Sequence, residues 1–293
     1  MTSAAEAAGT FRLGDRTVNR LGLGAMRLTG SAAMGRGTPR PVDQSVAVVR
    51  RAVELGVNHV DTAAFYFSAG SSANDVIRTA LAPYPDDLVI VPKVGPRRTS
   101  DGTWLDWARP VELRAEVERN LAELGLDRLE VVYYRSNGRD DVAAAVSALA
   151  ALRDEGLLRH VGVSNVDLAG LEAARAATEI VCVQNRHAPG YERSDGGDLV
   201  AACREHGLAF VPFFTIAGRA REDAAEEQYD VVHAIADAHG AAPAQVRIAW
   251  SLALAPHVLA IPGTGDPGHL EENVAAASLR LTDDDLSALA ALV

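Results

Sequence analysis

Lys93 is the only lysine among 28 basic residues in a chain of 293. A coding bias toward arginine accounts for the rest. It does not account for a lysine inside Leu88-Val89-Ile90-Val91-Pro92-Lys93-Val94, an apolar, strand-like run. Lysine can lose its proton, or pair compactly with an acid in a buried site, and a planar guanidinium does neither. A snorkelling lysine, its stem along apolar surface, is the plain alternative. Another apolar run ends in His59-Val60-Asp61-Thr62-Ala63, with Tyr66 just beyond. These three side-chain types suit carbonyl reduction, which needs hydride at carbon and a proton at oxygen. A phenol, with a pKa of about 10, is a weak acid at neutral pH. A neighbouring ammonium favours the phenolate, and a carboxylate keeps that ammonium charged and oriented. Donors around the carbonyl oxygen stabilise the developing alkoxide.

The elements that must position these residues alternate along the whole chain. After a hairpin over 11–18 turning at Gly14-Asp15, strand candidates fall at 21–25, 57–62, 88–94, 129–135, 160–164, 180–184, 208–213 and 258–262. They are short, rich in Val, Ile and Leu, and apolar on both faces, as strands of a fully covered parallel sheet must be. Amphipathic stretches lie between them. The stretch 110–124 opens on Pro110 and closes at Gly125; 42–55, 141–155 and 199–206 likewise stop at Gly56, Gly156 and Gly207. Eight such units without a linker predict a single (β/α)₈ barrel over 1–293, an α/β TIM barrel with an N-terminal β-hairpin and a C-terminal helix. A doubly wound sheet would want a glycine fingerprint after the first strand. Gly22-Leu23-Gly24 lacks the third glycine and no helix starts there. The stretch 30–41 reads as a long loop.

A barrel gathers its active site at the C-terminal strand ends. Those ends carry Asp61, Lys93, Arg135, Ser164-Asn165, Gln184-Asn185, Phe213-Phe214 and Gly263-Thr264. A lone Asp is usually a cap and a lone Tyr usually core. Their joint placement at one rim argues for chemistry.

Bulk properties exclude other classes. A formal charge of −11 without a basic stripe argues against nucleic acid. No apolar run is long enough to cross a bilayer, and residues 1–10 have no signal-peptide pattern, so a cytoplasmic protein is expected. Cys182 and Cys203 lack motif spacing, which predicts neither a zinc site nor a disulfide framework.

Over nearly its whole length the chain resembles the aldo-keto reductase superfamily, and within it the bacterial pyridoxal reductase-like members. The resemblance rests on Gly22-Leu23-Gly24-Ala25-Met26, Gly56 through Ala63 with Tyr66, Val161-Gly162-Val163-Ser164-Asn165, Val183-Gln184-Asn185, and Ile261-Pro262-Gly263-Thr264 with Glu272-Asn273. It implies Asp61, Tyr66, Lys93 and Arg135 as catalytic positions, with Tyr66 the proton donor. It implies Ser164, Asn165 and Gln184 on the carboxamide of a nicotinamide cofactor and Phe213 against its ring. Gly263, Thr264, Glu272 and Asn273 fall at the adenosine end, and Met26 and Arg219 also near the cofactor. The implied partner is a small carbonyl compound, such as pyridoxal or a secondary-metabolite carbonyl, and no metal is implied. Oligomeric state is not legible.

Three departures stand out. Arg135 occupies a position held by histidine in most of the superfamily; a guanidinium stays charged and donates hydrogen bonds, but is no acid–base relay at neutral pH. Residues 215–218 replace a Pro-Leu-Gly-like turn near the pyrophosphate. Gly265-Asp266 stands where many members carry Ser or Lys, which favours NADH through repulsion of the 2′-phosphate; Arg219 or Arg221 would restore the charge and put NADP(H) slightly ahead of NAD(H). In this family the mouth is lined by loops that here contribute Met26, Met34, Phe65, Phe67, Trp104, Trp107 and Tyr134, with Arg135, Arg97 and Arg98 suited to an anionic group. Two other readings stay open: a non-catalytic nicotinamide-binding sensor, and a Schiff-base aldolase with Lys93 as nucleophile.

Overall fold

A computed structural model describes residues 3–31, 38–68, 70–189, 196–213, 216 and 226–292. The expected hairpin forms from β1 (Thr10–Leu13) and β2 (Arg16–Asn19), antiparallel with Leu13 opposite Arg16. Then follow β3 (Leu23–Gly24), α1 (Val42–Glu54), β4 (His59–Asp61), a small pair β5 (Phe67–Ser68) and β6 (Ser71–Ser72), α2 (Ala73–Leu81), β7 (Val89–Val91) and β8 (Lys93–Val94). The middle of the chain is α3 (Leu113–Leu124), β9 (Leu129–Arg135), α4 (Val142–Asp154), β10 (Leu158–Ser164), α5 (Leu168–Ala177) and β11 (Ile180–Gln184). The last part holds α6 (Gly196–Glu205), β12 (Ala209–Phe210), α7 (Glu226–His239), α8 (Pro243–Ala253), α9 (Pro267–Ala275) and the C-terminal α10 (Asp283–Ala290). None of the described helices is long and apolar enough to cross a membrane.

The strands run parallel in two sheets, β3-β4-β7 and β8-β9-β10-β11-β12. Pro92 divides β7 from β8 because it has no N–H for the ladder. Its carbonyl still accepts from Tyr133 N at 3.0 Å, so 89–94 acts as one stave. The eighth stave, around 258–260, registers as single bridges to Phe210 and Leu21 rather than a strand. Leu259 N donates to Phe210 O on one side and Ala260 N to Arg20 O on the other, both at 2.8 Å. Those two contacts close a ring of eight staves, the expected (β/α)₈ barrel.

Its interior is packed, not hollow. Val89, Val91, Val131, Val211, Leu259 and Ile261 fill it, with Leu13 and Val18 of the hairpin in the same cluster. Burying each such side chain contributes about 1.5–3 kcal/mol. Two larger residues fit only because glycines face them. A Cβ on Gly162 would stand 2.4 Å from Cys182 Sγ and 2.8 Å from Tyr133 Cδ1; one on Gly22 would stand 2.2 Å from His59 Nε2. A second cluster joins the outer faces of the staves to the helices, with Val48, Ile77, Val117, Val146 and Leu171 from α1 to α5. The helices stop where expected: Gly125 ends α3 at φ 67°, and Gly56, Gly156 and Gly207 follow α1, α4 and α6 at φ 91°, 89° and 68°. The stretch 110–124 begins with a 3₁₀ turn, Pro110–Glu112, before α3.

Candidate active site

Asp61 ends β4 and Lys93 opens β8, on neighbouring staves at the C-terminal rim. Lys93 is 1% exposed, which overturns the snorkelling alternative. Its Nζ donates to Asp61 Oδ1 at 2.5 Å and to the Thr62 carbonyl at 3.3 Å. The other carboxylate oxygen, Oδ2, accepts from Gln184 Nε2 at 2.6 Å. The Tyr66 ring lies with its centroid 5.0 Å from Lys93 Nζ, and Phe65 packs edge-on against it at 4.9 Å. Acid, ammonium and phenol thus come together in a largely buried cluster, an arrangement able to hand over a proton and stabilise the phenolate left behind.

Arg135 ends β9, in register with Ser164. Its carbonyl accepts from Trp107 Nε1 at 2.8 Å, and its guanidinium lies 5.2 Å from the Phe213 ring centroid. This brings the cation expected on the substrate side and the aromatic expected to stack on the nicotinamide ring side by side.

The expected carboxamide set also converges. Ser164 and Gln184 are register partners on β10 and β11, with Ser164 Oγ 3.5 Å from Gln184 Oε1. That contact is long for a hydroxyl donor, so both groups keep capacity for a bound amide. Asn165 takes a positive φ of 60°, tolerated by asparagine. Its N donates to Gln184 O at 3.0 Å and its Nδ2 to Ser136 O at 2.9 Å. A hydroxyl and two carboxamides on adjacent strand ends match the donors and acceptors that a nicotinamide amide needs. At the other end, a Cβ on Gly263 would stand 2.7 Å from Gly24 O, so this glycine already has a packing reason. Thr264 Oγ1 accepts from Asp266 N at 3.1 Å. Asn273 is buried, Glu272 is exposed on α9, and Met26 is half-buried in a 3₁₀ turn after β3, packed against the core.

Several expectations need correction. Tyr134 does not line the mouth. It is 2% exposed on the outer face of β9, and its hydroxyl donates to Asp140 Oδ2 at 2.5 Å. Arg97 is paired with Glu112 at 2.9 Å and donates to Asp106 O at 3.0 Å. Arg98 is buried against backbone carbonyls and two aromatic rings, so neither is placed for an anionic ligand. Asp266 caps α9, accepting from His269 N at 3.0 Å, and that bond holds its carboxyl below the usual carboxylate range. Met34, Phe214, Thr215, Ala217, Gly218, Arg219 and Arg221 lie outside the described residues.

Other contributors were not legible in sequence. Arg40 Nη1 donates to Gly265 O at 2.8 Å and its charge acts on Asp266. A buried polar chain runs from Thr62 Oγ1 to Asn74 Oδ1 at 2.8 Å, and from Asn74 Nδ2 to Asn120 Oδ1 at 3.0 Å and Glu123 Oε2 at 2.9 Å. It fixes the residue whose carbonyl receives Lys93. A helix asparagine at the right spacing was the only available signal.

Comparison with known proteins agrees with this geometry. Pyridoxine 4-dehydrogenase of Escherichia coli is 41% identical over 96% of each chain. An uncharacterized oxidoreductase of Schizosaccharomyces pombe is 32% identical over 96% of this chain and 88% of its own. Among solved structures, a thermostable aldo-keto reductase bound to the inhibitor epalrestat superposes with a TM-score of 0.80 at 29% identity, covering 97% and 99% of the two chains. A Klebsiella pneumoniae aldo/keto reductase in complex with NADP and acetate gives 0.76 at 27%, covering 97% and 94%. The model of the aldo/keto reductase family matches residues 20–293, from the residue just before the first stave to the C-terminus. The chain therefore belongs to the aldo-keto reductase family, oxidoreductases that reduce small-molecule carbonyls with a nicotinamide cofactor.

Proposed function

We propose that this enzyme reduces a ring aldehyde of the pyridoxal type, using NADPH, with Tyr66 as the proton donor. The observation that carries the reading is the buried contact of Lys93 with Asp61, held beside the Tyr66 ring. When bound, the reduced nicotinamide supplies the hydride. Tyr66 gives its hydroxyl proton to the carbonyl oxygen as the C=O π pair becomes the new O–H bond. Lys93 stabilises the resulting phenolate, and Asp61 keeps Lys93 charged and oriented. Arg135 donates to the carbonyl oxygen, as an oxyanion-stabilising group does. Ser164, Asn165 and Gln184 would hold the carboxamide of the nicotinamide, and Phe213 would pack against its ring. Gln184 ties the two halves together, because the same amide touches Asp61.

Three points support the substrate and the cofactor. Phe65 packs against Tyr66 at 4.9 Å and against the exposed Trp104 at 6.1 Å, an aromatic patch beside the proton donor that suits a flat ring. The relative at 41% identity is a pyridoxine 4-dehydrogenase. The Klebsiella pneumoniae relatives were crystallised with NADP and with NADPH. The test is steady-state reduction of pyridoxal and other aldehydes by wild type and Tyr66→Phe, with NADPH affinity measured by fluorescence. The phenylalanine variant should bind NADPH normally and lose kcat by more than tenfold, because the phenol acts only in the chemical step. More than a tenth of wild-type kcat would sink the assignment, and faster turnover of all other aldehydes than pyridoxal would sink the substrate.

A further inference from the structure

Tyr66 stands on an irregular segment between β4 and the β5–β6 pair, where each carbonyl must find its own donor. The Ala63 carbonyl accepts from Tyr66 N at 3.0 Å, and the Tyr66 carbonyl from Ala73 N at 2.9 Å. Arg119 Nη2 donates to the Ala64 carbonyl at 3.1 Å. The carbonyls on either side of Tyr66, those of Phe65 and Phe67, both accept from Arg98 Nη1, at 3.0 and 3.1 Å.

Arg98 is itself built in. It is 6% exposed, its Nε donates to Gly102 O at 3.0 Å, and its guanidinium lies 4.3 Å from the Phe67 ring centroid and 5.3 Å from that of Trp104. The segment that presents it, just after Lys93, turns back on itself, with Arg98 bridged antiparallel to Trp104. Its turn needs Gly102, which has φ +90° and where a Cβ would stand 2.6 Å from Arg98 Nη2. A guanidinium buried at this cost of solvation, with its donors spread over three carbonyls, fixes backbone rather than reaching for solvent.

We propose that Arg98 is a positioning residue for Tyr66: it clamps the backbone on both sides of the proton donor and so sets where the hydroxyl stands during proton transfer. The inference rests on Tyr66 being that donor. A misplacement of about 1 Å can lower a rate by about 10²-fold. Arg98→Ala should therefore lower kcat at least tenfold while NADPH Kd stays within twofold. Arg98→Lys, a single compact donor group without the fork, should fall between. The decisive readout is a double-mutant cycle. In a Tyr66→Phe background, Arg98→Ala should cost less than twofold, because the residue it serves is already gone. An equal loss in both backgrounds, or an NADPH affinity that falls as much as kcat, would overturn the proposal. If the Tyr66→Phe rate is too low to measure, the solvent deuterium isotope effect on kcat decides: a larger effect in Arg98→Ala supports positioning, and an unchanged one overturns it. Circular dichroism checks folding, and Arg98→Lys carries the same comparisons if Arg98→Ala does not fold. Full activity of Tyr66→Phe alone would overturn the underlying donor reading; a dead Tyr66→Phe with an unaffected Arg98→Ala would overturn only this inference.

Discussion

Asp61 and Lys93 share one short contact at the barrel rim, with side-chain exposures of 8% and 1%. Removing one partner of a sealed ion pair leaves the other charge uncompensated, at about 3–5 kcal/mol. Lys93→Met should lose that much in urea unfolding as well as its turnover. Lys93→Arg keeps the charge, but a planar fork must enter a space that holds the Gln184 amide, the Thr62 carbonyl and the Tyr66 ring. Its kcat should therefore be nearly as low as that of Lys93→Met. An arginine variant with wild-type kcat would mean that charge alone matters here, and that the phenol needs no compact ammonium. Lys93 was legible because it is unique in type within an apolar run. Arg98 was not, because one more arginine in an arginine-rich chain carries no signal of burial.

At the level of elements, the strand ends and helix stops were readable wherever type and period agree. The β1–β2 turn at Gly14-Asp15 and the glycines after α1, α3, α4 and α6 fall where expected. Face was harder to read. Both faces of β9 are apolar, so no alternation says which of Tyr133, Tyr134 and Arg135 turn inward; Tyr133 fills the barrel, and Tyr134 turns out to Asp140. Long-range partners such as Arg40 at Gly265 leave no local pattern at all. That contact changes what Asp266 can do to the proposed NADPH preference. Its carboxylate caps α9, held chiefly by the His269 amide and to a lesser degree by Arg40, so part of its field is answered at this turn. Serine also caps a helix, and Asp266→Ser should keep the melting temperature. It should raise NADPH affinity relative to NADH by about threefold, the modest gain expected from relieving a partly screened repulsion. Paired Kd titrations of both cofactors on both proteins measure this. A ratio that does not move would mean that Asp266 does not face the adenosine end.

Across the whole molecule, closing eight staves around a packed interior places an imidazole where water cannot follow. His59 is 2% exposed, seated against the bare backbone of Gly22, and burial lowers its pKa from the ordinary 6.5 to about 4. The folded state therefore holds this imidazole neutral where the unfolded chain would protonate it. A base with a lowered folded pKa contributes nothing to the pH dependence above about 6.5. As pH falls below that value, the unfolded state gains a proton that the native state refuses, and stability drops until the folded pKa is reached. Between pH 7.5 and 5.0 His59 should cost about 2 kcal/mol, at about 1.4 kcal/mol per unit of pKa difference. His187, also lowered to about 4 by burial, adds to the same decline, whereas Glu112 is held near 2 and does not titrate in this window. The measurement is the unfolding free energy in urea at both pH values for wild type and His59→Leu. Leucine will shift stability at every pH through packing, so only the difference between the two pH values counts. That difference should be smaller by about 2 kcal/mol in the variant. Equal differences would mean that His59 takes up its proton inside the folded barrel, and that the ring is not sealed from water as its burial implies.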